Sequence, residues 1–147
     1  MGWACEDSCV NVQRICFLGT RTGNFEATSA LFRDVLGLHT VHTEAGWSIF
    51  QLPSGRSDFV EVFGPEHENA GVFPAEVSEG VVVAFAVDDI AAAREELAAA
   101  RVDLIGGLVW ANELFDDPKM EGFGWFFFRG PDENVYVMQQ DSRPDAI

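Results

Sequence analysis

A single carboxylate interrupts an apolar stretch at "FVEVF", residues 59–63. Side chains alternate along a strand, so Phe59, Glu61 and Phe63 share one face while Val60 and Val62 share the other. A carboxyl group among aromatic rings loses water, which disfavours its charged form and raises its pKa. Such a group can take a proton as a general base or pair with a cation. Glu61 is therefore the candidate catalytic residue. Other residues able to do chemistry are dispersed. His39 and His42 fall three apart on one predicted strand, which points them to opposite faces, so they cannot share a metal by themselves. Both read as surface or hydrogen-bonded residues, and His67 reads as solvated in an acidic connector. Cys5 and Cys9, in "CEDSC", have the spacing of a weak metal clip but lack two further ligands. Cys16 reads as a buried, inert thiol facing a helix. The sequence contains no Gly-rich phosphate loop and no Ser-His-Asp set that can be placed.

The elements that must position these residues come in two similar runs. Residues 14–22 predict a strand. Asn24 is placed to cap a helix on which Phe25, Thr28, Ala30, Leu31, Phe32 and Val35 recur at helical spacing, with Gly37 as its left-handed end. Strands follow at 38–43, 47–52 and 58–63, separated by "AG" and "PSGRS". The order then repeats. Residues 80–87 predict a strand, Asp88 or Asp89 caps "IAAAREELAAARV", and strands follow at 104–110, 124–129 and 135–140. The last two are joined by a tight turn on Pro131-Asp132-Glu133-Asn134. Residues 111–122, with Glu113, Asp116, Asp117 and Glu121, read as a loop. The expected organisation is a flexible tail at 1–13, one domain at 14–140 and a C-terminal tail at 141–147. Within the domain, a module at 14–63 and a module at 80–140 flank an exposed linker at 64–79.

Nine basic residues face twenty-four acidic ones, giving a net charge of -15. That surface repels nucleic acid and anionic membranes and attracts cations, including cationic small molecules. No apolar run approaches the roughly 20 residues of a membrane span, and "MGWACEDSCV" has neither the basic start nor the apolar core of a secretory signal. Three cysteines are an odd, low count that favours a reducing, cytoplasmic setting. Thirteen Phe and four Trp are a heavy aromatic load. Phe25, Phe32 and Phe85 fall on helix-packing faces.

Four segments, "FLGTRTGNFEATSALFRDVLGL", "FVEVFG", "VVAFAVDDIAAAREEL" and "WFFFRGPDENVYVMQQ", together resemble the vicinal oxygen chelate superfamily. That superfamily includes glyoxalase I, extradiol dioxygenases, methylmalonyl-CoA epimerase, fosfomycin-modifying enzymes and bleomycin-binding proteins. The resemblance covers about residues 14–140. It implies an α+β fold of two βαβββ modules whose curled sheets form a cup, and it implies a homodimer. Metal-dependent members place His, Glu or Gln ligands near the start of each module's first strand and on its last strand. The matching positions here are Phe17, Glu61, Val82 and Val137, of which only Glu61 can ligate. One carboxylate cannot replace the water shell of a divalent cation, so the expectation is no metal and no cofactor.

Alternation in such a cup puts Phe17 with Arg21, Phe59 with Glu61 and Phe63, and Val82 and Val137 on its inner wall, joined there by Trp110, Trp125 and Phe127. Arg21 would then be a possible internal partner for Glu61. These ten residues are the candidate ligand-binding set. The expected function is metal-free binding of a small amphipathic or aromatic molecule, with antibiotic sequestration as one form of it. The alternatives are a lyase, isomerase or oxygenase using a displaced metal site or Glu61 as base, and a scaffold whose aromatics fill the cup. The expected partners are a small molecule and a second copy of the chain, with neither nucleic acid nor membrane.

Overall fold

A computed structural model describes residues 10–53, 58–66 and 80–144. Cys5, Cys9, His67 and most of the expected linker lie outside the described residues. Two runs of the same order appear. The first is β1 (Arg14–Arg21), α1 (Phe25–Ala30), β2 (His39–Glu44), β3 (Trp47–Gln51) and β4 (Phe59–Phe63). The second is β5 (Gly80–Ala86), α2 (Ile90–Ala99), β6 (Asp103–Trp110), β7 (Phe123–Arg129) and β8 (Val135–Asp141). Each is a βαβββ module, and the protein is α+β as expected. Its described residues fall into two compact units, a first of residues 15–84 and a second of residues 10–14 and 85–144. Between β6 and β7 the expected loop contains a short helix, α3 (Ala111–Leu114), and a 3-10 turn (Pro118–Met120). No helix among the described residues is long and apolar enough to cross a membrane.

In the first unit the strands run in the order β2-β3-β4-β1-β5. β2, β3 and β4 are antiparallel neighbours, while β1 runs parallel to β4. One face packs under α1, where Phe25, Phe50 and Val62 form the core with Phe32, Leu38 and Val60 against them. Phe32 meets Phe50 edge-on at 5.7 Å, a favoured arrangement for aromatic quadrupoles. The helix-side placement of Val60 and Val62 turns Glu61 to the opposite face, as the alternation requires.

The first helix departs from expectation twice. Asn24 makes no side-chain cap; instead its backbone N–H donates to the Thr22 hydroxyl. After Ala30 the helix widens into a π-turn, Leu31–Val35, in which the Leu36 N–H reaches back to the Leu31 carbonyl. A wider turn changes the angular step per residue. Leu31 and Val35, expected on the buried stripe, are 45% and 73% exposed. Gly37, with φ 67°, does end the helix in the left-handed conformation.

In the second unit β6, β7 and β8 form an antiparallel run. Asp89, rather than Asp88, caps α2 by accepting from the Ala92 N–H. Val87, Ile90, Ala93, Phe126 and Met138 form the core beneath α2. Val10 packs against that core, so the order extends into the expected N-terminal tail. The β7–β8 turn is closed by the Gly130 N–H donating to the Asn134 carbonyl. It is pinned by Asp132, which accepts from the Tyr136 hydroxyl at 2.6 Å and from Asn134.

Candidate functional site

Strand register assembles a small lattice of side chains on the face opposite α1. β4 contributes Phe59, Glu61 and Phe63. The residues directly opposite on β1 are Phe17, Gly19 and Arg21, and those on β3 are Gln51, Ile49 and Trp47. Residues opposite one another share a face, so Phe17, Arg21, Phe59, Glu61 and Phe63 come together here. β2 adds a row that the sequence reading did not foresee. Its register shifts between Thr40 and His42, so His39 lies opposite Gln51 and His42 opposite Ile49. Those partners are two apart on β3, so both histidines are on the Glu61 face. The extra residue of a bulge reverses the alternation that had separated them.

Trp47 organises the centre. Its indole N–H donates to Glu61 Oε2 at 3.2 Å. Its ring stacks on Phe63 with centroids 5.9 Å apart and planes 11° from parallel. On its other flank lies His42, at 4.8 Å, whose Nε2 is 3.3 Å from Glu44 Oε1. Gly19, directly across from Glu61, brings no side chain. A methyl group there would meet the Phe17 ring at 3.3 Å and the Phe63 ring at 3.8 Å, so these two rings converge over bare backbone.

Glu61 keeps partial surface exposure as a residue, but its carboxyl is enclosed enough that burial dominates its chemistry. Burial raises its pKa from 4.5 to about 7, and the Trp47 hydrogen bond offsets part of that rise. The donor on the carboxyl is thus Trp47, and Arg21 is not among the influences on its protonation. Trp47 was absent from the sequence-derived site. Its signal was available only through pairing: read with an antiparallel β3–β4 register, its position falls opposite Phe63.

The second unit holds the remaining candidates. Trp125, Phe127 and Val137 are buried. Phe127 pairs with Val137 on the face away from α2. Trp110 does not join them. It packs against the core beneath α2, and its ring lies where a side chain at position 124 would project, 2.6 Å from that site. Alternation puts it there: Ile105 and Val109 lie opposite Phe127 and Trp125, so Trp110, opposite Gly124, falls on the α2 side with Leu104 and Leu108. Val82 belongs to the first unit and is buried. Cys16 is buried as expected, with its thiol donating to the Ala84 carbonyl at 3.4 Å.

No protein-family model matches the chain, and no curated protein matches its sequence. Solved structures do. Methylmalonyl-CoA epimerase from Mycobacterium tuberculosis is similar with a TM-score of 0.63 at 16% identity, covering 95% of this chain and 94% of that one. A glyoxalase/bleomycin resistance protein/dioxygenase superfamily member from Vibrio splendidus 12B01 gives 0.58 at 16%, covering 85% and 97%. This is a vicinal oxygen chelate-fold protein. The Mn(II)-bound glyoxalase from Novosphingobium aromaticivorans also aligns, with a TM-score of 0.61 at 19% identity, over 92% of this chain and 42% of that longer one. Proteins of the vicinal oxygen chelate fold thus include a glyoxalase and an epimerase among these structures, and identities this low carry the fold alone.

The side chains at the four expected ligand positions do not fit a divalent metal ion. Phe17, Val82 and Val137 offer only hydrocarbon, and Glu61 offers one carboxylate. Among the described residues, no three His, Cys, Asp or Glu side chains are grouped closely enough to share a metal ion. The bulge that brings His39 and His42 to one face does not change this.

Proposed function

We propose that the Glu61 face is a metal-independent binding site for a small amphipathic or aromatic organic molecule. The observation that carries this reading is a desolvated carboxylate with one hydrogen-bond donor among the described residues, framed by Trp47, Phe63, Phe17 and Phe59. Stability alone favours an apolar residue at such a position, because an enclosed charge loses its water without full compensation. Aromatic walls with a few placed polar groups are the usual make-up of a small-molecule site. Sequestration of an amphipathic compound such as an antibiotic is the form we favour. The low cysteine count supports a cytoplasmic setting, and the likeness to the superfamily supports a homodimer.

A second reading is enzymatic. A carboxyl with a pKa of about 7 is poised to accept a proton near neutral pH, and Glu61 would then serve as the base of an isomerase or lyase. The deciding experiment is thermal stabilisation of the purified protein by a panel of aromatic and amphipathic compounds, with and without a chelator, alongside elemental analysis. Stabilisation that survives chelation, with well under one transition metal per chain, is the expected result. A stoichiometric metal that resists chelation, or stabilisation that vanishes with the chelator, would sink the metal-independent reading.

A further inference from the structure

We infer that the molecule bound on the Glu61 face is an organic cation, an alkyl- or benzylammonium compound whose charged head rests on Glu61 Oε1 beside the rings of Trp47, Phe63 and Phe17. This rests on the small-molecule reading above and names the ligand's class. Trp47 occupies Oε2, and among the described residues none donates to Oε1. Burial and the indole account for the state of the carboxyl, and no basic side chain enters. Among the described residues the charge is therefore compensated by one neutral donor, whereas an enclosed carboxylate is fully compensated only by a cation.

The surroundings suit an ammonium head. Trp47 and Phe63 lie stacked, and the Phe17 and Phe63 rings converge over Gly19, directly opposite Glu61. Aromatic faces attract cations through their quadrupole, and the attraction grows as water is excluded. A neutral ligand could donate to Oε1 but would leave the charge in place. An anion would meet both the carboxylate and a chain of net charge -15. That same charge raises the local concentration of cations.

The charged or titratable groups sharing the face with Glu61 are Arg21 from β1 and His39, His42 and Glu44 from β2. The residues β3 presents there, Trp47, Ile49 and Gln51, carry no charge. A probe with a permanent charge removes the ligand's own titration, so its pH profile reports the protein. Benzyltrimethylammonium chloride is such a probe, and benzyl alcohol is an uncharged counterpart. Calorimetric titration of the full chain at low salt should show the cation binding with an affinity that falls towards tenfold per pH unit below about 7. Glu61→Gln should weaken it by about tenfold or more and remove that profile, while His42→Gln should keep it. If the cation and the alcohol bind equally and Glu61→Gln changes neither, the cation inference falls and the small-molecule reading stands. If neither probe binds at millimolar concentration, both fall. Should Glu61→Gln fail to fold by circular dichroism, the parent's profile decides: a flat profile from about pH 5 to 8 overturns the inference.

Discussion

Replacing Glu61 by Gln should stabilise this protein, and more so as pH rises. The carboxyl has an ordinary value of 4.5 and is held at about 7 in the fold. Each factor of ten in proton affinity is worth about 1.4 kcal/mol. Charged Glu61 therefore costs the folded state about 3 kcal/mol above pH 7, an upper figure because the residue keeps some exposure to water. The sign follows from which state holds the proton. Below pH 4.5 the folded and unfolded chains both hold it, and the group is neutral to stability. Between 4.5 and about 7 the unfolded chain releases the proton while the folded chain keeps it, so stability falls as pH rises. Above about 7 the loss is complete. Gln keeps the shape and an acceptor for the Trp47 indole, but it does not titrate.

Urea denaturation of parent and Glu61→Gln at about pH 5 and pH 8 isolates this effect, because every other carboxylate is common to both chains. We expect the variant's advantage to grow by about 1–3 kcal/mol between the two pH values. An advantage that is the same at both, or that shrinks at the higher pH, would falsify the assignment of Glu61 as a desolvated, uncompensated carboxylate. It would point instead to a carboxylate paired with Arg21.

Trp47→Phe keeps the stack on Phe63 but removes the indole donor. The Glu61 titration midpoint, followed by carboxyl NMR, should then move above that of the parent, and stability at pH 8 should drop by about 1–3 kcal/mol; an unmoved midpoint would contradict the hydrogen bond. Sedimentation at micromolar concentration should give a homodimer, and a clean monomer of 16.2 kDa would refute that expectation.

Much of the fold was legible because its signals are local. The alanine-rich run at 90–99, the Asp cap ahead of it, the Gly37 stop and the "GPDENV" turn each follow from one or two residues' own conformational preferences. The alternation in 59–63 was enough to turn Glu61 away from α1 and so to anticipate its raised pKa. The π-turn was not legible. Leu31 and Val35 stand at good α-helical spacing, and nothing in a helical period reports that the turn holds one more residue than usual.

His42 and Trp110 were misplaced for different reasons. Facing residues were assigned by counting in twos along each strand, and counting in twos assumes an uninterrupted ladder. The one-residue register shift at Thr40/His42 breaks that assumption, whereas the shift at Ile105/Val109 spans two residues and leaves the alternation intact. The first carries His42 onto the Glu61 face, against Trp47. Trp110 lies under α2 because it alternates with Leu104 and Leu108, and the absence of a side chain at Gly124 leaves room for its ring. Bulges cannot be counted from one strand, because they are a property of a pair. The strand β4, paired without a shift to β1 and β3, is where the count held, and it is also where the one candidate catalytic group lies. Glu61 was therefore found, and Trp47, the group that governs it together with burial, was not: finding Trp47 required knowing which residue of β3 sits across from Phe63.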